Sequence, residues 1–299
     1  MTLISWEYGM LITRWVLYLG IAASVGGAAS LYLLKNYGQL KKALLHYLVL
    51  AAIIGLIAAI SHFLIRVGGV LEEGITGMFE PDMLSMMWES PVGDALLLRI
   101  LGFLLFIVVV IFYRFMGRLS PEEPMELGVL PASIAFIGLG LIALSFTEAG
   151  HAVGQPLLFQ WALVTHILLT AWWLGSLYPL WLVCHKLAFN EAHGLLEKFG
   201  HLAVVAVVIL LLCGLFLSYQ LTGWDTLLSS DYGNFLLVKV ALVAVMLIMA
   251  ALHKGYLVPQ LLSTKNATIL KRSILLEKLI GASILALTTV MTTLIGPVH

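Results

Sequence analysis

Charge is what this sequence has least of. Asp, Glu, Lys and Arg make up 11% of its 299 residues, against about a quarter in soluble domains. Hydrophobic residues reach 61% and mean hydropathy is +1.04. A chain of this kind is solvated by lipid, which excludes a soluble enzyme. An excess of basic charge is also missing. Sixteen Lys and Arg balance sixteen Asp and Glu, and no basic run is present to meet phosphates, which argues against nucleic-acid binding. Cysteine is scarce. Cys184 and Cys213 both fall in apolar stretches, so there is no disulfide framework and no cysteine metal cage. Period-two alternation is lacking as well, which excludes a membrane β-barrel.

What the sequence does have is long apolar runs. A spanning helix needs about 20 mostly apolar residues. Eight such segments are predicted, at roughly 6–34, 42–67, 91–115, 128–148, 156–185, 199–222, 232–256 and 270–296. The expected fold is an all-α polytopic bundle, one transmembrane domain covering residues 1–299. The first stretch is long enough to span and lacks a basic N-terminal flank, so no cleaved signal peptide is expected.

Lys and Arg set the expected orientation. The loops after the first, third, fifth and seventh segments carry Lys35, Lys41 and Lys42; Arg114 and Arg118; Lys186 and Lys198; and Lys254, Lys265, Lys271 and Arg272. Segments 68–90, 149–155 and 223–231 hold no Lys or Arg. By the positive-inside rule these segments and both termini face outward, which in a bacterium is the periplasm. The expected location is the cytoplasmic (inner) membrane, with lipid as the surrounding partner. The outward loop 68–90 contains Met78, Glu80, Asp82, Met83, Met86, Met87 and Trp88, and a short interfacial helix is predicted there.

Ionisable residues within apolar spans are costly and each is a functional candidate. Arg14, Arg99 and Lys239 fall about two turns below the outer surface. Arg66 lies near that surface, with His62 one turn deeper on the same face. Asp94, Glu148 and His151 belong to the same end, and His166 lies near mid-membrane. One reading has this set lining a shared polar cavity. The other has an ion-pair network holding the bundle, for example Arg99 with Asp94 or Glu148. A mid-membrane imidazole such as His166 needs a hydrogen-bond partner, a metal or a haem iron. The histidines at inner helix ends, His185, His193 and His253, read as interfacial polar residues. Met83, Met86 and Met87 have i, i+3, i+4 spacing. Thioethers suit Cu(I); the alternative is an apolar interfacial face filled with flexible Met.

Further motifs carry a resemblance. These are Gly150-His151-Ala152; His166 followed by Trp172-Trp173-Leu174-Gly175-Ser176-Leu177; Phe199 with Gly200-His201; Tyr232-Gly233 before Lys239; Pro259; and Arg272 with Glu277. Over residues 145–296 the chain resembles the copper resistance D (CopD) family of bacterial membrane proteins, and Arg14 and Arg99 fit the family in the first half. The resemblance implies copper handling at the periplasmic face, in tolerance or uptake, beside a separate small periplasmic copper-binding protein. Translocation of copper ions is then expected, with His151, His62 or the Met loop receiving the metal and His166 continuing the route. The alternative is electron transfer through haem b ligated by two histidines such as His62 and His166, with the cations pairing propionates. No catalytic nucleophile or acid–base pair stands out, so an enzyme is not expected.

Overall fold

The computed structural model describes residues 5–119, 128–148, 150–222 and 228–296, leaving aside the side chains of residues 118, 119 and 151. Among these residues the chain forms helices and no strand. In order they are α1 (Ser5–Leu33), α2 (Gly38–Leu71), α3 (Pro81–Trp88), α4 (Pro91–Leu119), α5 (Val129–Leu144), α6 (Leu157–Lys186), α7 (Phe189–Thr222), α8 (Asp231–Leu252), α9 (Val258–Thr264) and α10 (Thr268–Val290). The reason is the solvent. In lipid a backbone N–H or C=O must be satisfied within the segment, and a helix does this alone.

Among the described residues, seven helical segments are long and apolar enough to cross a membrane. The eighth predicted span is a difference: α5 has 16 residues, about 24 Å, short of the ~30 Å hydrocarbon core. It still runs antiparallel to α4, with Gly138 against Gly102 and Ser145 at the level of Arg99. It stops where the Ser145 hydroxyl turns back to the Ile142 carbonyl, at 2.6 Å. Other helices overrun their apolar stretches. α7 begins at Phe189, ten residues before the predicted span, because Asn190–Lys198 is polar but helix-compatible. The interfacial helix expected in 68–90 is present as α3. Pro81 opens it, and the Glu80 carboxylate caps it by accepting the Met83 N–H at 2.8 Å.

α8 and α9 are one continuous rod with a π-helical turn, His253–Leu257, between them. Pro259 explains the defect. It has no N–H for the Gly255 carbonyl and its ring crowds that turn, so the helix widens and Val258 N–H reaches back to His253 O.

Packing divides into two cores that share α6. One gathers α1, α2, α4 and α5 around Leu17, Leu48, Phe103, Phe106 and Ile142. The other gathers α7 to α10 around Trp173, Leu180, Leu261 and Ile274. α1 and α6 join them by direct backbone contact. A Cβ on Gly175 would overlap the Ala22 carbonyl, and one on Gly26 would overlap the Gly175 backbone. Small residues at such crossings allow the van der Waals contact that replaces the hydrophobic effect within lipid. Ser176 Oγ donates to Gly26 O at 3.2 Å and Tyr47 OH to Gly175 O at 3.0 Å across the same seam. α7 and α8, by contrast, bury little and hardly pack on each other.

Two outcomes are expected. Gly175→Ala should lower stability in detergent by about 1–3 kcal/mol through overpacking. Gly194→Ala, with nothing within 4 Å of its would-be Cβ, should leave thermal stability unchanged or slightly raised; equal behaviour of the two would contradict the seam. In addition, reporter fusions after Gly38 and Phe189 should read as cytoplasmic and one near Gly154 as periplasmic. A cytoplasmic signal at Gly154 would overturn the lysine-based orientation.

Candidate functional site

The halves of α1, α2 and α4 expected to face outward hold a cationic cluster. His62 is 5% exposed and its Nδ1 lies 3.1 Å from Thr13 Oγ1. The single Thr13 hydroxyl proton goes to the nearer acceptor, Gly9 O at 2.7 Å. Nδ1–H of His62 therefore donates to Thr13, and this tautomer leaves Nε2 with its lone pair. The guanidinium groups of Arg14, Arg66 and Arg99 all lie within electrostatic reach of this ring. Arg14 donates to Thr292 O at 3.0 Å and Thr293 Oγ1 at 3.1 Å, beyond the end of α10. Arg99 is 9% exposed and donates through Nε to Ser145 Oγ at 2.9 Å. Two aromatic rings lie between these guanidiniums. Arg14 is 6.0 Å from the Tyr18 ring, Tyr18 is 5.8 Å from Phe146, and Arg99 is 5.2 Å from Phe146. Cation–π contact takes the place of counter-ions here.

Acids do not neutralise the cluster. Among the described residues, Arg14, Arg66, Arg99 and Lys239 have no carboxylate within 4.0 Å. Asp94 and Glu148, assigned to a buried network from the sequence, are exposed near the ends of α4 and α5, and Glu148 accepts from the Thr147 hydroxyl at 3.3 Å. The expected ion pairs of Arg99 with Asp94 or Glu148 are therefore absent. The helix ends carry these two side chains outward while Arg99 points into the bundle.

His166 and Lys239 form a separate group, on α6 and α8. Among the described residues the buried His166 Nδ1 has no well-aligned hydrogen-bond partner, although the ring is within weaker reach of the Leu210 backbone of α7. Its ring lies on α7 at Gly214, where a Cβ would come 3.3 Å from Cε1. Lys239 is within electrostatic reach of it. The single shared cavity expected from the sequence is thus two groups, one on α1, α2 and α4 and one on α6, α7 and α8. Of the two histidines considered for haem b, His62 lies beside Thr13 of α1 and His166 lies against Gly214 of α7.

The methionines also separate. Met83 and Met87 pack inward with Leu84 on the first core, while Met86 is 58% exposed. At 100° per residue, Met83, Leu84 and Met87 centre one face and Met86 lies at its edge. His151 has its backbone in the 3-10 turn Gly150–Ala152, and its side chain lies outside the described residues. Among the described residues, no three His, Cys, Asp or Glu side chains form a metal-binding group.

Thr13, Tyr18, Ser145, Phe146 and Gly214 were not legible as site residues, since each is an ordinary residue type for an apolar helix. His253, read as an interfacial residue, instead meets Glu277 at 3.2 Å. One outcome follows from the unpaired cations. Asp94→Asn and Glu148→Gln should each change stability by less than about 0.5 kcal/mol. Breaking a buried ion pair would cost about 3–5 kcal/mol, so thermal unfolding of the purified variants separates the two arrangements.

Comparison with known proteins adds the lineage. Residues 4–156 match the family described as "Copper resistance protein D-like, N-terminal domain", and residues 193–291 match "Copper resistance protein D". "Inner membrane protein YebZ" of Escherichia coli (strain K12) is 27% identical over 257 residues, covering 82% of each chain. No solved structure matches significantly. The apolar seven-span helical bundle and the two family matches, one over each half, place this chain in the copper resistance D (CopD) family of multi-pass membrane proteins.

Proposed function

We propose that this protein translocates copper ions across the bacterial inner membrane, with His166 as a ligand inside the bundle. The observation that carries the reading is the buried Nδ1 of His166, without a well-aligned hydrogen-bond partner among the described residues. A buried polar atom left unpaired costs about 1–3 kcal/mol. An imidazole lone pair is a ligand for both Cu(I) and Cu(II), and copper passing through would use it. Lys239 beside the ring opposes a lasting positive charge, which favours brief occupancy and release over storage.

The other candidate residues take their places around this route. His151, in the outward turn, and the exposed Met86 thioether are the capture groups. His62 offers Nε2 on the neighbouring interface. Met83 and Met87 mainly hold α3 against the core. Arg14, Arg66 and Arg99 lie on the α1–α2–α4 side and keep free cations off that path. A separate periplasmic copper-binding protein is the proposed donor at the outer face. Family membership and the inner-membrane relative support the copper reading and the location.

The test is cell-associated copper against external copper, at equal amounts of folded protein. His166→Ala should fall to the level of cells lacking the protein at every concentration. His151→Ala, or Met83, Met86 and Met87 replaced together, should lose copper only when external copper is low. A full copper response in His166→Ala overturns the route through the bundle. Purified protein should bind copper and show no Soret band; a Soret band would support haem instead.

A further inference from the structure

A buried carboxylate sits far from the residues above, in the inner part of the second core. Glu277 of α10 is 1% exposed. Its Oε1 accepts the Trp173 Nε1–H of α6 at 3.0 Å. Its Oε2 lies 3.2 Å from Nδ1 of His253, in the π turn that follows α8. Nε2 of His253 is 2.7 Å from Ser273 Oγ, one turn before Glu277 on α10. Three elements therefore meet on one carboxylate. Burying such a group in a membrane protein is expensive, and a structural tie between helices does not require an ionisable one.

Access to the site is graded. The His253 side chain is 14% exposed and that of Glu277 is 2% exposed. Lys254, the next residue, lines a small pocket of about 80 Å³ with His193, Glu197, His201, Val258 and Pro259. That volume has room for water among polar side chains. The pocket lies between the N-terminal part of α7 and the start of α9, on the expected cytoplasmic side. Glu277 has one basic neighbour within 4.0 Å among the described residues, the imidazole of His253, the residue that precedes Lys254 of this pocket.

We propose that His253 and Glu277 form a proton-binding site filled from the inner side. A proton taken up by His253 passes from Nδ1 to Oε2 of Glu277, leaving neutral imidazole and a neutral carboxylic acid; the reverse step returns it. Other charged and titratable groups lie on the elements packed near the pair. On α7, His193, Glu197 and His201 face Lys254 across the pocket. On α10, Lys271 is within electrostatic reach of Cys184 on α6, and Lys278 is drawn to the Tyr178 and Trp181 rings of α6 at 5.3 Å and 6.0 Å. Ionised Glu277 holds both Trp173 and His253. Protonated Glu277 gives up part of that hold, so proton occupancy alters how α6, the π turn and α10 meet. Resting on the copper reading, this is where transport couples to protons.

The test uses the full chain in lipid nanodiscs and infrared difference spectra between acid and alkaline buffer. The wild type should show a protonated-carboxyl band that changes with pH, and Glu277→Gln should lack it. His253→Gln should keep the band but slow its hydrogen–deuterium exchange on the order of a hundredfold, the low end for a positioned proton-transfer group. Thermal unfolding confirms that each variant is folded. Should Glu277→Gln not fold, the His253→Gln exchange rate decides alone. An identical spectrum in folded Glu277→Gln, or unaltered exchange in His253→Gln, overturns the proposal. In proteoliposomes, copper movement should depend on internal pH in the wild type and lose that dependence in His253→Gln. If the wild type moves no copper, the copper reading fails while the infrared result stands on its own; if copper moves without the pH dependence, the coupling fails alone.

Discussion

The seam between α1 and α6 is the contact on which the rest of the bundle depends. Each of its two cores is closed on one side by helices that would otherwise face lipid. The two helices touch backbone to backbone because Gly26 and Gly175 have no side chain at the crossing. Lipid tails are as apolar as leucine, so helices gain nothing by hiding apolar surface from them. What remains is close packing and hydrogen bonding, and the seam has both. Beside the seam, Trp15 ties α1 to α10 by donating to Ala282 O at 2.9 Å.

Charge is distributed against the usual expectation for buried ions. Buried cations in proteins are normally paired with acids. Here Arg14 and Arg99 are held by carbonyls, hydroxyls and aromatic faces, and the nearby acids Asp94 and Glu148 point outward. The outcome is a positive outer compartment beside α1, α2 and α4. Among the described residues, the one buried carboxylate that is paired, Glu277, lies in the other core. The arginines are thus confined to the first core, and α6 stands between the two cores with His166 facing α7 and Lys239. A route for a cation along α6 avoids the arginines.

Parts of the site could be read in advance and parts could not. Arg14, Arg99, Lys239 and His166 stood out because a polar residue within an apolar run is rare and expensive. Their grouping did not stand out. Whether two residues on different helices share an interface depends on how the helices are rotated and crossed, and periodicity in one helix leaves that open. The same limit applied to Met83, Met86 and Met87: the spacing suggested one face, but the direction of the core, set by packing on α2 and α4, divided them. His253 is the sharper case. Its environment comes from Pro259, six residues later, which widens the helix into a π turn, and from Glu277 on another helix.

By itself the sequence determined that the chain crosses a membrane many times as helices. The physical reason is that apolar length and backbone hydrogen bonding are local quantities, complete within about 20 residues. Lysine placement set the expected orientation in the same local way, and the motifs pointed to the CopD family. Tertiary structure alone decided that α5 is short, that the cations form two groups, that Asp94 and Glu148 leave them unpaired, and that a carboxylate and an imidazole far apart in sequence meet at the inner end. Those outcomes depend on which helix faces touch, and that choice is made by shape complementarity across the whole bundle, above all at Gly26 and Gly175.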